Sequence, residues 1–101
     1  MAKKILVYWR DIPAQVIVQR GRTREKVKLS QRFQEAIDRA AMRAGKGSSD
    51  AYLSEWRRES STFNDARDLA AIASEEARIL EESFSDDQLK FLIKSHGVAE
   101  S

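Results

Sequence analysis

The N-terminal third of the chain alternates between apolar and polar positions in three short runs, which predicts a three-stranded antiparallel sheet. The first run, residues 3–10, is rich in β-branched and aromatic side chains and has apolar residues on both alternating faces. A turn around Pro13 follows, and further strands are predicted at 15–20 and 25–29. Because both faces of the first strand are apolar, we expect helices or another chain to cover both sides of the sheet.

Helical periodicity replaces this alternation after residue 29. Apolar residues recur at spacings of three and four, which predicts about four helices: 30–44, 49–58, 64–83 and 86–96. Ser30 is expected to cap the first helix, and the sequence SDDQ from Ser85 has the form of a capping box for the last one. Strands followed by helices indicate an α+β fold.

Length and composition indicate one domain spanning residues 1–101, with residues 98–101 frayed. The chain is 42% hydrophobic and 34% charged, which supports a packed core and a soluble surface. It contains no cysteine, which excludes disulfides, thiolate metal sites and cysteine nucleophiles. The apolar run ILVYW is too short for a signal peptide, and no segment has the length of a membrane span, so we expect a cytoplasmic protein that does not enter a membrane.

Charge is distributed unevenly along the chain. Residues 1–47 contain twelve Lys or Arg and four Asp or Glu (12 − 4 = +8), and residues 48–101 contain six and twelve (6 − 12 = −6), which gives the net charge of +2. One interpretation is that the two halves pack together and their fields partly cancel. The other is that the basic half faces an acidic partner, a nucleic acid or the acidic half of a second copy.

The basic half contains the stretch QRGRTREKVK, in which five cations occupy alternate positions: Arg20, Arg22, Arg24, Lys26 and Lys28. On a hairpin, we expect Arg20 to share a face with Lys26 and Lys28, with Arg22 and Arg24 at the tip. This patch is interpreted either as a solvated face or as a site for an anion or nucleic acid.

Catalytic chemistry is nearly absent from the sequence. His96 is the only histidine, and its place at a helix C-terminus suits a favourable interaction with the helix dipole. No histidine pair, Glu-x-x-His element or glycine-rich phosphate loop occurs. We therefore assign no catalytic residue, no metal site and no cofactor.

Each of the two tryptophans is followed by arginine, in Trp9-Arg10 and in Trp56-Arg57. Both rings are interpreted either as core residues with arginine at the rim of the core, or as parts of an interaction surface, where Trp and Arg are enriched.

Three segments resemble the small bacterial domain family labelled "virulence factor": YWRDIPAQVIV at 8–18, RFQEAIDRAAMRAG at 32–45 and DAYLSEWRR at 50–58. The resemblance implies a bacterial protein or module without an established reaction. It also implies an accessory role beside one-carbon and methyl-transfer enzymes. The residues that carry it are Trp9, Arg10, Asp11, Pro13, Gln15, Asp38, Arg39, Tyr52 and Trp56.

Three hypotheses of function follow from the sequence. The preferred one is a non-enzymatic module that binds a protein partner through Trp9, Arg10, Asp11, Gln15, Asp38 and Trp56; the apolar strand face is also compatible with a homodimer. The alternative is a nucleic-acid or anion binder that uses the basic hairpin. The third is a small enzyme with Arg10, Asp11 and Asp38, for which we expect Arg10, Asp38 and Gln15 to converge in a polar pocket.

Overall fold

A four-stranded antiparallel sheet with helices on one face forms the fold in the computed structural model, which describes residues 2–45, 49–64 and 66–98. The strands lie in the order β3-β2-β1-β4, with the bounds β1 Ala2–Trp9, β2 Ile12–Arg20, β3 Thr23–Lys28 and β4 Trp56–Phe63. Three long helices, α1 Gln31–Arg43, α3 Leu69–Ser83 and α4 Asp86–Lys94, accompany a five-residue helix, α2 Ser49–Leu53. The predicted α+β class with an antiparallel sheet is confirmed, whereas the prediction of three strands and about four helices is wrong, since the sheet has four strands and only a five-residue helix remains of the one predicted at 49–58.

The error arises in the segment predicted as a helix at 49–58. Only Ser49–Leu53 is helical, and from Trp56 the chain forms β4 along the outer edge of β1. Most β4 residues are exposed and polar, so the strand lacks the apolar alternation that would reveal it. The strand is defined instead by its pairing with β1, which extends from the pair Ala2 and Phe63 to the pair Trp9 and Trp56.

The turn between β1 and β2 is shorter than predicted, because β2 begins at Ile12 and includes Pro13. Val7 pairs with Gln15 but Tyr8 pairs with Pro13, so the register shifts and Ala14 is an extra residue on β2. A β-bulge accommodates a residue that cannot donate to the ladder. The second strand is therefore nine residues long.

The helices differ from prediction mainly at their beginnings. Ser30 lies at the N-cap of α1, but its side chain makes no capping bond; its hydroxyl and amide donate to Glu81 instead. The long helix begins at Leu69 rather than at residue 64. The predicted capping box at Ser85 is confirmed, with reciprocal bonds of 3.1 and 2.9 Å to Gln88.

The main core lies between the sheet and the three long helices. It contains Val16 and Val18 from β2, together with buried residues of α1, α3 and α4. A second, small cluster of Ile5, Val7 and Ile17 lies on the other side of the sheet and includes no helix residue among those described. The expectation that helices cover both sides is therefore not met among the described residues, and cover by another chain stays a prediction. Within the chain, the side chains around this cluster leave its residues less than a tenth exposed. Residues 99–101 of the predicted frayed end lie outside the described residues.

Candidate functional site

The β1–β2 turn is the centre of a polar cluster. Arg10 has a left-handed backbone (φ 53°), which is unfavourable for a residue with a Cβ atom. The amide of Arg10 donates to the carbonyl of Glu55 (3.1 Å), and the amide of Asp11 donates to the carbonyl of Gly97 (2.8 Å). The Arg10 guanidinium donates to the His96 carbonyl (2.9 Å) and lies 3.3 Å from the Glu55 carboxylate. These bonds tie the turn to the ends of α2 and α4 and offset the backbone strain.

Arg57 on β4 completes the polar cluster. Its Nε donates to the Arg10 carbonyl (2.7 Å), its two terminal nitrogens bind Asp11 (3.2 Å) and Glu59 (2.6 Å), and its guanidinium lies over the Tyr8 ring. Burial alone lowers the pKa of Arg57, but the bonds to these carboxylates outweigh it and raise that pKa. Burial and the Glu59 carboxylate raise the pKa of Tyr8 above its ordinary 10.0.

Aromatic rings pack beneath the same turn. Trp9 is fully buried, donates from Nε1 to the Tyr52 carbonyl (2.9 Å) and stacks on the Tyr52 ring with centroids 6.0 Å apart. Trp56 meets Tyr52 edge to face at 5.7 Å and is only half-buried. Trp9 is therefore a core residue, whereas Trp56 retains an accessible surface.

Asp38 lies apart from this cluster. It is exposed on α1 and accepts a bond from Gln34 (3.1 Å). Gln15 belongs to the side of the sheet that carries no helix, and Arg10 lies in the turn. The predicted convergence of Arg10, Asp38 and Gln15 in one pocket is therefore wrong.

The sheet face opposite the helices, called here the open face, carries the Ile5, Val7 and Ile17 cluster. Because alternate residues of a strand share a face, and directly paired residues share it too, the register assigns its other members. They include five cations, called here the open-face cations: Lys3, Arg24, Lys26, Lys28 and Arg58. The polar neutral members are Gln15, Gln19, Ser60 and Thr62. Trp56 pairs with the core residue Trp9, and it packs both against the main core and against the open-face cluster at the turn end. No strand residue on this face is acidic, since Glu25 and Glu59 point to the other side.

Ion pairs link the two halves of the chain on the helix side of the sheet and at the turn. Lys4 pairs with Glu76, Arg32 with Glu81 and Asp86, and Arg10 with Glu55. The open-face cations, by contrast, are exposed and make no side-chain hydrogen bond or ion pair with any other residue that the structure describes. Among the described residues, the acidic half therefore compensates the basic half on the helix side of the sheet and at the turn, and not on the open face.

The basic hairpin is arranged differently from the prediction. The turn at Gly21 contains two residues, so an even-numbered position of β3 pairs with an odd-numbered position of β2. Arg24 consequently shares the open face with Lys26 and Lys28, whereas Arg20 points to the helix side and donates to the Arg67 carbonyl (3.1 Å). The expected grouping of Arg20 with the two lysines is wrong, and Arg22 lies exposed in the turn.

A shallow groove of about 290 Å³ opens at the turn end of the open face. It is lined by Val7, Gln15, Trp56, Arg57 and Arg58. Its volume is close to the lower limit of roughly 300 Å³ for small-molecule sites, so it suits a small planar group rather than an extended metabolite. An aromatic face beside a guanidinium can stack on and bind such a group.

The remaining residues supply little reactive chemistry. In the ranges that the structure describes, no group of three or more His, Cys, Asp or Glu residues is placed to hold a metal ion. His96 is exposed and takes part in the turn cluster through its backbone carbonyl. No helix in the described ranges combines the length and the apolar character needed to cross a bilayer.

The family model described as "Virulence factor" matches residues 7–93. The chain belongs to this family. No curated protein and no solved structure matches the chain.

For this member of the virulence factor family, four of the nine residues that carry the resemblance build the turn and its aromatic support. Trp9, Arg10, Asp11 and Tyr52 contact one another or the same neighbours there. Gln15 and Trp56 instead line the groove on the open face.

Sequence reasoning missed two of the open-face cations, Lys3 and Arg58. Lys3 could have been assigned from simple alternation with Ile5, but Arg58 required recognition of β4.

Proposed function

We propose that this protein is a non-enzymatic binding module that holds an anionic macromolecule on its open face. One observation carries the proposal: five exposed cations share a sheet face that has no acidic strand residue and no described intramolecular partner for them. Arg10 and Asp11, the candidates for catalysis, are occupied in holding the turn, and Asp38 lies elsewhere.

Electrostatic repulsion makes this arrangement costly without a partner. Alternate residues of one strand lie about 7 Å apart, so each neighbouring pair among Arg24, Lys26 and Lys28 repels by about 0.6 kcal/mol in water. Salt screens part of this repulsion. An anionic partner relieves it and releases the counterions, so binding should weaken as salt rises.

Retention on immobilised heparin, used as a general polyanion, tests the proposal. The double variant Lys26→Glu/Lys28→Glu removes two open-face cations. Its matched control, Arg39→Glu/Lys90→Glu, makes the same change in net charge at exposed positions on α1 and α4. We expect the open-face variant to elute at far lower salt than the control, which should behave almost as the unaltered protein.

Equal loss of retention in both variants would show that net charge, rather than this face, attracts the polyanion, and would refute the proposal. Circular dichroism melting of both variants confirms that the fold is retained, since all four positions are exposed.

A further inference from the structure

Trp56 distinguishes the open face from a merely cationic surface. Its ring is held on one side by edge-to-face contact with Tyr52 and packs against both apolar clusters of the sheet. It is nevertheless only half-buried, and it lines the groove beside Arg58. An indole that is fixed in place and still accessible is a preorganised platform for stacking.

The cations on β3 are spaced for a linear polyanion. Arg24, Lys26 and Lys28 follow one another at about 7 Å, a repeat close to that of successive phosphates in an extended nucleic-acid strand. Adjacent strands lie about 4.8 Å apart, so Arg58 on β4 is about 14 Å from the β3 row. Phosphates can therefore be bound along the sheet while a base reaches the groove.

Neutral hydrogen-bonding groups lie between the cations. The amides of Gln15 and Gln19 occupy the strand between β3 and β1, and the hydroxyls of Ser60 and Thr62 lie on β4. Amides and hydroxyls donate to and accept from sugars and base edges as well as phosphates. An acidic polypeptide would use the cations but would leave both the indole platform and these amides without a specific role.

The shape of the face favours a single strand over a duplex. Among the described residues the open face consists of strands alone, and its two outer strands lie about 14 Å apart. This is wider than the helix or two-stranded ribbon that the major groove of a duplex, about 12 Å wide, admits. Single strands, in contrast, lie across open sheets with unstacked bases on aromatic side chains.

We propose, as a deepening of the function proposed above and resting on it, that the partner is a single-stranded nucleic acid. Its phosphates contact the open-face cations, and one base stacks on Trp56 in the groove.

Binding of a fluorescein-labelled ten-nucleotide oligo(dT), followed by anisotropy, tests this inference with the full chain. If all five cations contact phosphates, a plot of the logarithm of the association constant against the logarithm of the salt concentration should have a slope of about −3.5. Lys26→Glu/Lys28→Glu should make this slope shallower by about 1.4. Trp56→Ala should weaken binding about 5- to 150-fold. Trp56→Phe keeps a ring and should lose much less, which separates stacking from any loss of packing.

Intrinsic fluorescence supplies an independent readout with unlabelled oligonucleotide. Trp9 is fully buried, whereas Trp56 is partly accessible. A base that stacks on Trp56 should therefore quench the fluorescence of Trp56 and leave that of Trp9 unchanged. Trp56→Phe should abolish the quenching while binding persists. The inference would be overturned if the oligonucleotide bound without quenching tryptophan fluorescence, or if Trp56→Ala bound it with unchanged affinity.

Two further ligands separate this inference from the broader proposal. If poly-glutamate binds in a manner that depends on Lys26 and oligo(dT) does not bind, the nucleic-acid inference is overturned. The proposed function of binding an anionic macromolecule is then still supported. A duplex of the same length that binds more tightly than the single strand would also overturn it. Absence of binding to heparin, poly-glutamate and oligo(dT) alike would refute both.

Discussion

Gly97 should be the least tolerant of substitution among the three described glycines, all of which have left-handed backbones. It follows α4 with φ 86°, donates its amide to the Leu92 carbonyl and accepts from the Asp11 amide. A Cβ atom there would lie 2.9 Å from Cζ3 and 3.2 Å from Cε3 of Trp9. The Trp9 ring has no room to retreat, because it is fully buried, stacked on Tyr52 and bonded through Nε1.

The cost of Gly97→Ala has two parts. The left-handed backbone costs about 1–2 kcal/mol for a residue with a Cβ, and overpacking against a fixed ring costs about 1–3 kcal/mol. The free energy of unfolding should therefore fall by about 2–5 kcal/mol. For a domain of this size, each kcal/mol lowers the melting temperature by about 4–8 °C.

Gly45→Ala is the matched control, since Gly45 has φ 73° but nothing within 4 Å of its Cβ position. Urea denaturation should show only the backbone part of the cost in Gly45→Ala. In a Trp9→Phe background, which lacks the indole atoms nearest Gly97, the cost of Gly97→Ala should approach that of Gly45→Ala. Equal destabilisation of the two glycine variants in the unaltered background would refute the argument from Trp9.

Two further predictions concern the polar cluster around the turn. Arg57→Lys keeps the charge but loses the forked bonds to the Arg10 carbonyl and Asp11. Because Arg57 is partly exposed and solvent weakens these bonds, the free energy of unfolding should fall by only about 1–2 kcal/mol. Arg58→Lys, at an exposed position without a described partner, should change it by less than about 0.5 kcal/mol in the same urea titration; a similar loss in both would contradict the role given to Arg57. Because the pKa of Tyr8 is raised, its contribution to stability is complete below pH 10.0 and is lost as pH rises through the folded-state pKa. Tyr8→Phe should therefore reduce the loss of stability measured between neutral and strongly alkaline pH. An unchanged pH profile would contradict the raised pKa of the partly buried Tyr8 hydroxyl.

Local signals in the sequence were sufficient for several elements. The apolar stripe of α1 and the capping box of α4 depend on residues three or four positions apart, so their structural consequences are local. The same holds for the hairpin at Gly21, where a left-handed residue permits the tight turn. Alternation along β1 correctly separated the face of Ile5 and Val7 from that of Leu6, but it also placed Trp9 with Ile5 and Val7, which is wrong. Trp9 follows the register shift after Val7 and lies in the main core with Leu6.

What the sequence alone determined, then, was the class of the fold, the capping box at Ser85, the tight turn at Gly21 and the absence of cysteine chemistry. The tertiary structure decided that Trp56–Phe63 pairs with β1, because a polar edge strand has no periodicity of its own and is defined by its partner's backbone. It also decided which cations share a face, because a change of one residue in pairing register moves a side chain to the other side of the sheet. Arg20 was thereby bound on the helix side, while Arg24 and Arg58 joined Lys26 on the open face.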